Sequence, residues 1–526
     1  MSSMRACRFL RWAVLAALFA GNIPGWAQPS SPPGDSSGED SLSQSVRELR
    51  HEVQDLQAAV AEIRSEAQQY RAETVELRRE LQSLRTVQAA ANTEAASAGA
   101  STSGQAPAGI DQTQASTQHT QTAKLEEEYQ LLAGKIDDQY QTKVESASKY
   151  RVRLSGIVLL NLFSNNGTVD NIDFPGIAYD NPPGSSGGSF GGTLRQSEIG
   201  FEVFGPHVGG ARTKADLQLD LAGGFPATIN GSNYGLLRLR TGTMRMDWEH
   251  TSLVAGQDGL FFSPETPTSF ASLAIPALSY AGNLWGWIPQ LRVEHRIPTG
   301  EDSNLLLQGG ILDSVSGDPI YSYYRYPQAG ERSRQPAYAT RVAWTRTLFG
   351  QPLHVGVGGY YGRQNYGFNR NVDGWAGMAD LEIPLSTRFS LSGKVYRGRA
   401  LGGIGGGIGR SVLFNGNPGQ AWTSVRPLND VGGWTQLKYR ATSKVEFNGA
   451  FGLDNPYAAD IRFFGANSLA YGDPTLIKNQ GGFFNVIYRP RSDLLFSAEY
   501  HRLTTFTSDN GSYKADHINL AMGVLF

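Results

Sequence analysis

The chain is 526 residues long with a formal net charge of −2 and a hydrophobic share of 40%, so it exceeds one small domain and gives no sign of a nucleic-acid partner. No long apolar run follows residue 27, which excludes a helical membrane protein, because each helical span needs about 20 consecutive apolar residues. A transmembrane β-barrel stays open, since only alternate residues of its strands face lipid, and the 62 glycines, 9 Trp, 22 Tyr and 24 Phe suit twisted strands with aromatic belts.

Residues 1–27 read as a secretory signal peptide. Arg5, Arg8 and Arg11 precede an apolar core from Trp12 to Ala20, and Gly25-Trp26-Ala27 is a small-x-small cleavage site. The sole cysteine, Cys7, lies inside it, so a mature chain without disulfide or lipid anchor is expected. Residues 28–40 are a Pro/Ser/Gly spacer. From 41 to 85 a heptad runs through Val46, Val53, Val60, Ala67, Thr74 and Leu81 at one seam position. Leu49, Leu56, Ile63, Tyr70, Leu77 and Leu84 occupy the other, predicting an α-helical coiled coil. Residues 86–123 lose the pattern and read as a disordered linker. Helical spacing returns over 124–149 (Leu125, Tyr129, Leu132, Ile136, Tyr140, Val144), predicting a short helix.

From 150 to 526 the period changes to two. Ala211, Thr213, Ala215, Leu217, Leu219 and Leu221 alternate with Arg212, Lys214, Asp216, Gln218 and Asp220. The final stretch HINLAMGVLF places Ile518, Leu520, Met522, Val524 and Phe526 on one face. A soluble sandwich also alternates, so the connections carry the distinction. Short turns near 205–210, 249–251, 298–303, 349–352, 384–387, 441–443 and 489–493 alternate with longer Gly/Pro/Asn-rich segments. The latter fall at about 165–192, 223–235, 260–287, 313–335, 363–372, 400–429, 455–478 and 506–512. That alternation predicts an all-β fold, a sixteen-stranded antiparallel transmembrane β-barrel with turns and both ends on the periplasmic side, the last strand pairing with the first.

A barrel of that width is too wide for its own side chains to fill, so an aqueous channel is expected. The segment from Leu260 to Trp287 holds one charged residue, Glu265, among apolar ones, and would be costly to expose. It is expected to fold inward as a constriction loop carrying Phe261, Phe262, Glu265, Phe270 and Leu273. Arg238, Arg240, Arg292, Glu294, Arg296, Lys438 and Arg440 alternate with apolar neighbours and are expected to line the pore, because a charge facing mid-membrane lipid costs ~2–4 kcal/mol. Fixed arginines favour anions. Carboxylates on inward phases, among them Glu198, Asp216, Asp220 and Asp380, leave a wall of mixed charge as the alternative.

The segments RQSEIGFEVFGP (195–206), LRLRTG (237–242), LVAGQDGLFFSP (253–264) and PQLRVEH (289–295) resemble those of DcaP-like Gram-negative porins, over roughly residues 125–526. The resemblance implies homotrimers in outer-membrane lipid, some with a periplasmic coiled coil, passing small anionic solutes such as dicarboxylates. It also implies a terminal Phe, here Phe526, read as a signal by the barrel assembly machinery. One stretch departs from the pattern: in TGTMRMDW (241–248), Arg245 falls out of phase with Arg238 and Arg240, which a β-bulge would explain. No catalytic set, metal site or cofactor is expected. The histidines are scattered singly, and the glycine run 402–409 reads as a flexible external loop rather than a nucleotide-binding one. The alternative function is structural, the coiled coil tethering the outer membrane to the cell wall.

Overall fold

Alternating sequences make strands with two unlike faces, and the computed structural model shows how they are arranged over residues 151–224, 235–318 and 325–526. The expected signal peptide, spacer, coiled coil, linker and short helix lie outside these described residues. Sixteen strands form one sheet: β1 Arg151–Asn166, β2 in two stretches (Gly188–Thr193 and Glu198–Val208), β3 Ala211–Asp220, β4 Arg238–Asp247, β5 Thr251–Gly259, β6 Trp287–Gly300, β7 Ser303–Leu312 and β8 Ala337–Leu348. They continue with β9 Gln351–Asn365, β10 Asn371–Pro384, β11 Phe389–Arg399, β12 Asn429–Arg440, β13 Val445–Pro456, β14 Leu476–Arg491, β15 Leu494–Thr507 and β16 Ser512–Leu525. All neighbours are antiparallel. The sheet closes where β16 pairs with β1, Leu525 opposite Ile157 and Asp516 opposite Asn166. The terminal residue extends the seam: Phe526 N–H donates to Gly156 O at 3.1 Å, and Gly156 N–H donates to Phe526 O at 2.9 Å. Closure removes both sheet edges and satisfies the backbone without water, as a lipid environment requires.

The faces are inverted relative to a water-soluble barrel. On β16, Ile518, Leu520, Met522 and Val524 are exposed while His517, Asn519 and Ala521 are buried inside. The same order holds on β12, where Val431 and Leu437 face out and Asp430, Trp434 and Gln436 face in. Outward aromatics gather at two levels. At the short-turn end, Phe389 stacks on Tyr439 at 4.5 Å and Tyr439 on Phe447 at 6.1 Å. At the other end Tyr338, Tyr361 and Trp375 sit opposite one another on adjacent strands. Along β11, the ten residues between these levels span roughly 33 Å. At the usual strand tilt this is about 25 Å across the membrane, the height of an apolar band.

The connections alternate as expected, with three differences. β2 begins at Gly188, inside the segment expected to be loop, because Gly191 and Gly192 let that stretch lie against Phe163 and Leu162 of β1. The connection between β9 and β10 shrinks to 366–370, since both strands continue past the expected loop boundary. The glycine run is no flexible loop. Gly402, Ile404, Gly406 and Gly407 are buried, and positive φ at Gly405, Gly407 and Gly409 lets the chain coil into tight turns beneath the mouth. There Gly407 N–H donates to Asp430 at 2.8 Å and Ile408 N–H to Asp454 at 3.0 Å.

Candidate functional site

The connection between β5 and β6, residues 260–286 (loop 3), enters the barrel. Its apolar residues meet apolar patches on the inward wall, the largest of them near the loop's base. Phe262 is fully buried and stacks on Tyr360 of β9 at 5.3 Å, amid Leu284, Ile288, Leu312, Met378 and Tyr396. Lys394 of β11, also buried, holds the neck: its Nζ donates to Ser263 Oγ at 2.8 Å and to Leu284 O at 2.9 Å, bridging the outgoing and returning limbs. Farther along, neutral amides receive the loop backbone. Gln436 accepts from Thr268 N–H at 2.7 Å, and Asn485 donates to Thr268 O at 2.9 Å. Asn161 donates to Phe270 O at 2.9 Å, and Gln196 accepts from Leu273 N–H at 2.7 Å. Phe270 and Leu273 pack on Ile157, Leu159, Leu495 and Ala521, at the seam where β1 meets β16. The loop thus reaches across the lumen to the side where the barrel closes.

Glu265 sits where the loop meets β8–β10. Its carboxylate is 3.4 Å from His354 Nε2, which lies 2.8 Å from Asp380 Oδ1. Burial raises the Glu265 carboxyl above its usual 4.5, partly offset by His354. Donor atoms of these three residues lie within 4.8 Å of one another, a spacing that could hold a metal ion. The guanidinium of Arg341, however, already bonds both oxygens of Asp380. With Lys394 close by, the group is charge-balanced as it stands and fits an ion-pair clamp on the loop better than a metal centre.

Between the loop and the wall of β4–β8 beside its root lies a chamber of about 440 Å³, lined by Arg240, Asp258, Phe261, Thr266, Trp285, Trp287, Arg292, Gln308 and Arg341. β4 and β6 supply two of its arginines. Arg240 ion-pairs with Glu198 and rests over the Trp287 ring at 4.8 Å, with Arg238 at 5.0 Å from the same ring. Arg292 donates to Asp258 at 2.7 Å and to Glu294 at 2.8 Å. Glu294 also takes Arg245 at 2.9 Å and has Arg296 at 3.5 Å. Every one of these cations is paired, but the partners are layered. The Asp220 side chain is wholly covered and Glu294 is 5% exposed, whereas Arg238 is 25%, Arg245 20% and Arg296 45% exposed; the Arg341–Asp380 pair is buried on both sides. Short carboxylates lie against the wall and long guanidinium groups extend over them. Asp258 and Glu198 depart from that order, being more exposed than their arginine partners.

β4 contains the bulge that its sequence suggests. Asp220 faces Arg238 and Leu219 faces Leu239, but Gln218 faces Thr241, leaving Arg240 as the extra residue. The phase shifts by one, so Arg245 and Thr243 point inward with Arg238 while Met244 is exposed. Lys438 and Arg440 lie elsewhere, at the short-turn end of β12, beside Glu446 at 4.0 and 3.9 Å, and Arg440 also donates to Gln351 at 2.6 Å. The sequence reading did not single out Arg341, Lys394 or the inward Asn161, Asn448, Asn485 and Asn519. Their inward phase was legible, but the partners they meet, on loop 3 and on distant strands, were not.

No family model matches the chain, and no curated protein matches it. Among solved structures it is similar to the outer membrane channel DcaP of Acinetobacter baumannii, with 16% identity over 73% of this chain and 100% of that one and a TM-score of 0.55. It is also similar to the anion-selective porin from Comamonas acidovorans (12% identity, 72% and 100% covered, TM-score 0.44) and to OprB of Pseudomonas putida (11%, 71% and 94%, 0.44). At such identities the likeness is one of fold, and only the first score is high enough to carry it. The chain is therefore folded as a closed, sixteen-stranded antiparallel barrel, with the fold of the DcaP channel.

Proposed function

We propose that the protein is an outer-membrane porin, a passive channel for small hydrophilic solutes with a preference for anions, and not an enzyme. The observation that carries this reading is the layering beside loop 3, guanidinium groups over buried carboxylates. A solute passing the wall beside the chamber, at Arg238, Arg245 and Arg296, meets guanidinium groups before the carboxylates beneath them, and fixed positive charge replaces part of an anion's lost hydration. In this reading Arg238, Arg240, Arg292, Glu294 and Arg296 line the pore at the constriction, Lys438 and Arg440 line its periplasmic approach, and Phe261, Phe262, Glu265, Phe270 and Leu273 belong to the constriction loop. The barrel begins near residue 150, sits in outer-membrane lipid as a homotrimer and is inserted by the assembly machinery through Phe526. The signal peptide and the coiled coil of residues 41–85 precede it, the latter in the periplasm.

Reconstitution into planar bilayers across a salt gradient tests the channel and its selectivity together. Ohmic channels with an anion-selective reversal potential are expected, and R240Q/R292Q should lower the anion-to-cation permeability ratio by roughly 2- to 5-fold. Absence of channels refutes the porin reading, and cation selectivity refutes the anion preference. The heptads support a second reading, a tether between the outer membrane and the cell wall. Deleting residues 41–123 should leave conductance unchanged if the channel is the function, while loss of envelope integrity would favour the tether.

A further inference from the structure

On the outward phase of β11, Val395 is 62% exposed, and the next two outward residues toward the long-loop end are Arg397 and Arg399. Arg397 lies opposite Val431 on β12, and Arg399 lies opposite Trp375, which belongs to the aromatic level at that end. Arg399 therefore stands at the upper edge of the apolar band and Arg397 one outward position below it, close enough for its long side chain to reach up to the headgroups. Two other outward arginines on this rim are matched within the chain, Arg363 with Asp373 at 3.8 Å and Arg502 with Asp516 at 2.6 Å. Arg397 and Arg399 have no carboxylate within ion-pair distance among the described residues.

Above them the β12 entry and two loops enclose a cleft of about 310 Å³, lined by Arg399, Ser424, Arg426, Asn429 and Phe463. Arg426 is committed: it donates to Asp460 and lies over the Phe463 ring at 4.5 Å. The Nε of Arg399 is shielded from water and has no acceptor among the described residues. A shielded donor without an acceptor carries a desolvation penalty that a ligand oxygen would remove. A guanidinium group binds phosphate with paired, charge-assisted hydrogen bonds, and acyl chains of a lipid so held would run down past Val395 and Val431.

We propose that Arg397, Arg399 and the cleft above them form a docking site for the phosphate of a phosphorylated lipid headgroup in the outer leaflet. The proposal rests on the orientation adopted above, long loops outward, and not on conduction.

The test uses the purified full-length chain in a nonionic detergent, titrated with diphosphorylated lipid A and with the same lipid after dephosphorylation, bound lipid being counted by native mass spectrometry. The expected result is retention of the phosphorylated lipid by the unaltered protein and a loss of apparent affinity of about ten-fold in R397Q/R399Q, the size of a lost charge-assisted pair. R397K/R399K should fall between them, because lysine keeps the charge without the fork. Equal binding by R397Q/R399Q, or equal binding of the dephosphorylated lipid, overturns the site. So does complete displacement by low-millimolar inorganic phosphate, which would mark a site for the free ion. Unchanged single-channel conductance in both variants shows that the barrel has folded, and it separates failure here from failure of the channel reading.

Discussion

Lys394 shows how one side chain can set a pore. Its ammonium group bridges Ser263 and Leu284, 21 positions apart, from within a fully enclosed site. K394M would leave the Leu284 carbonyl dependent on the Ser263 hydroxyl 3.2 Å away, a local cost of about 1–3 kcal/mol. The expected result is a barrel that still folds but conducts with larger, noisier current steps, read in single-channel recordings. Steady, unaltered conductance would show that the neck is held by Phe262 and its apolar neighbours instead. The inward phase of Lys394 could be read from its alternation with Val395 and Gly393. Its partners could not, because they belong to a loop more than a hundred residues away.

Loop 3 is the element in which sequence and structure are most closely joined. Its composition already disfavoured exposure, and the structure places it inside with Glu265 against His354. Because burial raises the Glu265 carboxyl, the folded protein holds this proton more firmly than the unfolded chain does. The resulting stabilisation is full below the ordinary value of 4.5 and is lost as pH rises through the folded value. Ionisation in that upper window adds one negative charge beside the chamber, so the anion-to-cation permeability ratio should step down as pH rises above 4.5. Reversal potentials measured from pH 4 upward should show the step in the unaltered channel and lack it in E265Q. A step that persists in E265Q would assign it to another group. The glycine run gives the contrary case. Its composition reads as flexible, yet Asp430 and Asp454 bind its N–H groups, and these acceptors come from strands that follow it in the chain.

For the whole molecule, closure is the decisive event, and Gly156 is where it is most exposed to substitution. A Cβ there would come within 2.4 Å of Glu198 O and 2.7 Å of the Phe526 ring. G156V should therefore reduce the folded, heat-modifiable barrel several-fold on denaturing gels, whereas G449A, with open space around its Cβ position, should not. Equal folding of both would show that the β1–β16 seam tolerates the added bulk. The amino-acid sequence alone was enough to fix the strand number and the two-faced alternation of the strands, and it raised a bulge in β4 as one explanation for the phase of Arg245. All of these follow from period-two alternation and from turn chemistry, which act between near neighbours. Which arginines share a chamber, that an asparagine-rich wall receives loop 3 and that Asp220 and Glu294 lie beneath guanidinium groups were settled by the folded arrangement. Those contacts join residues remote in sequence, and their geometry exists only once the sheet has closed around the loop.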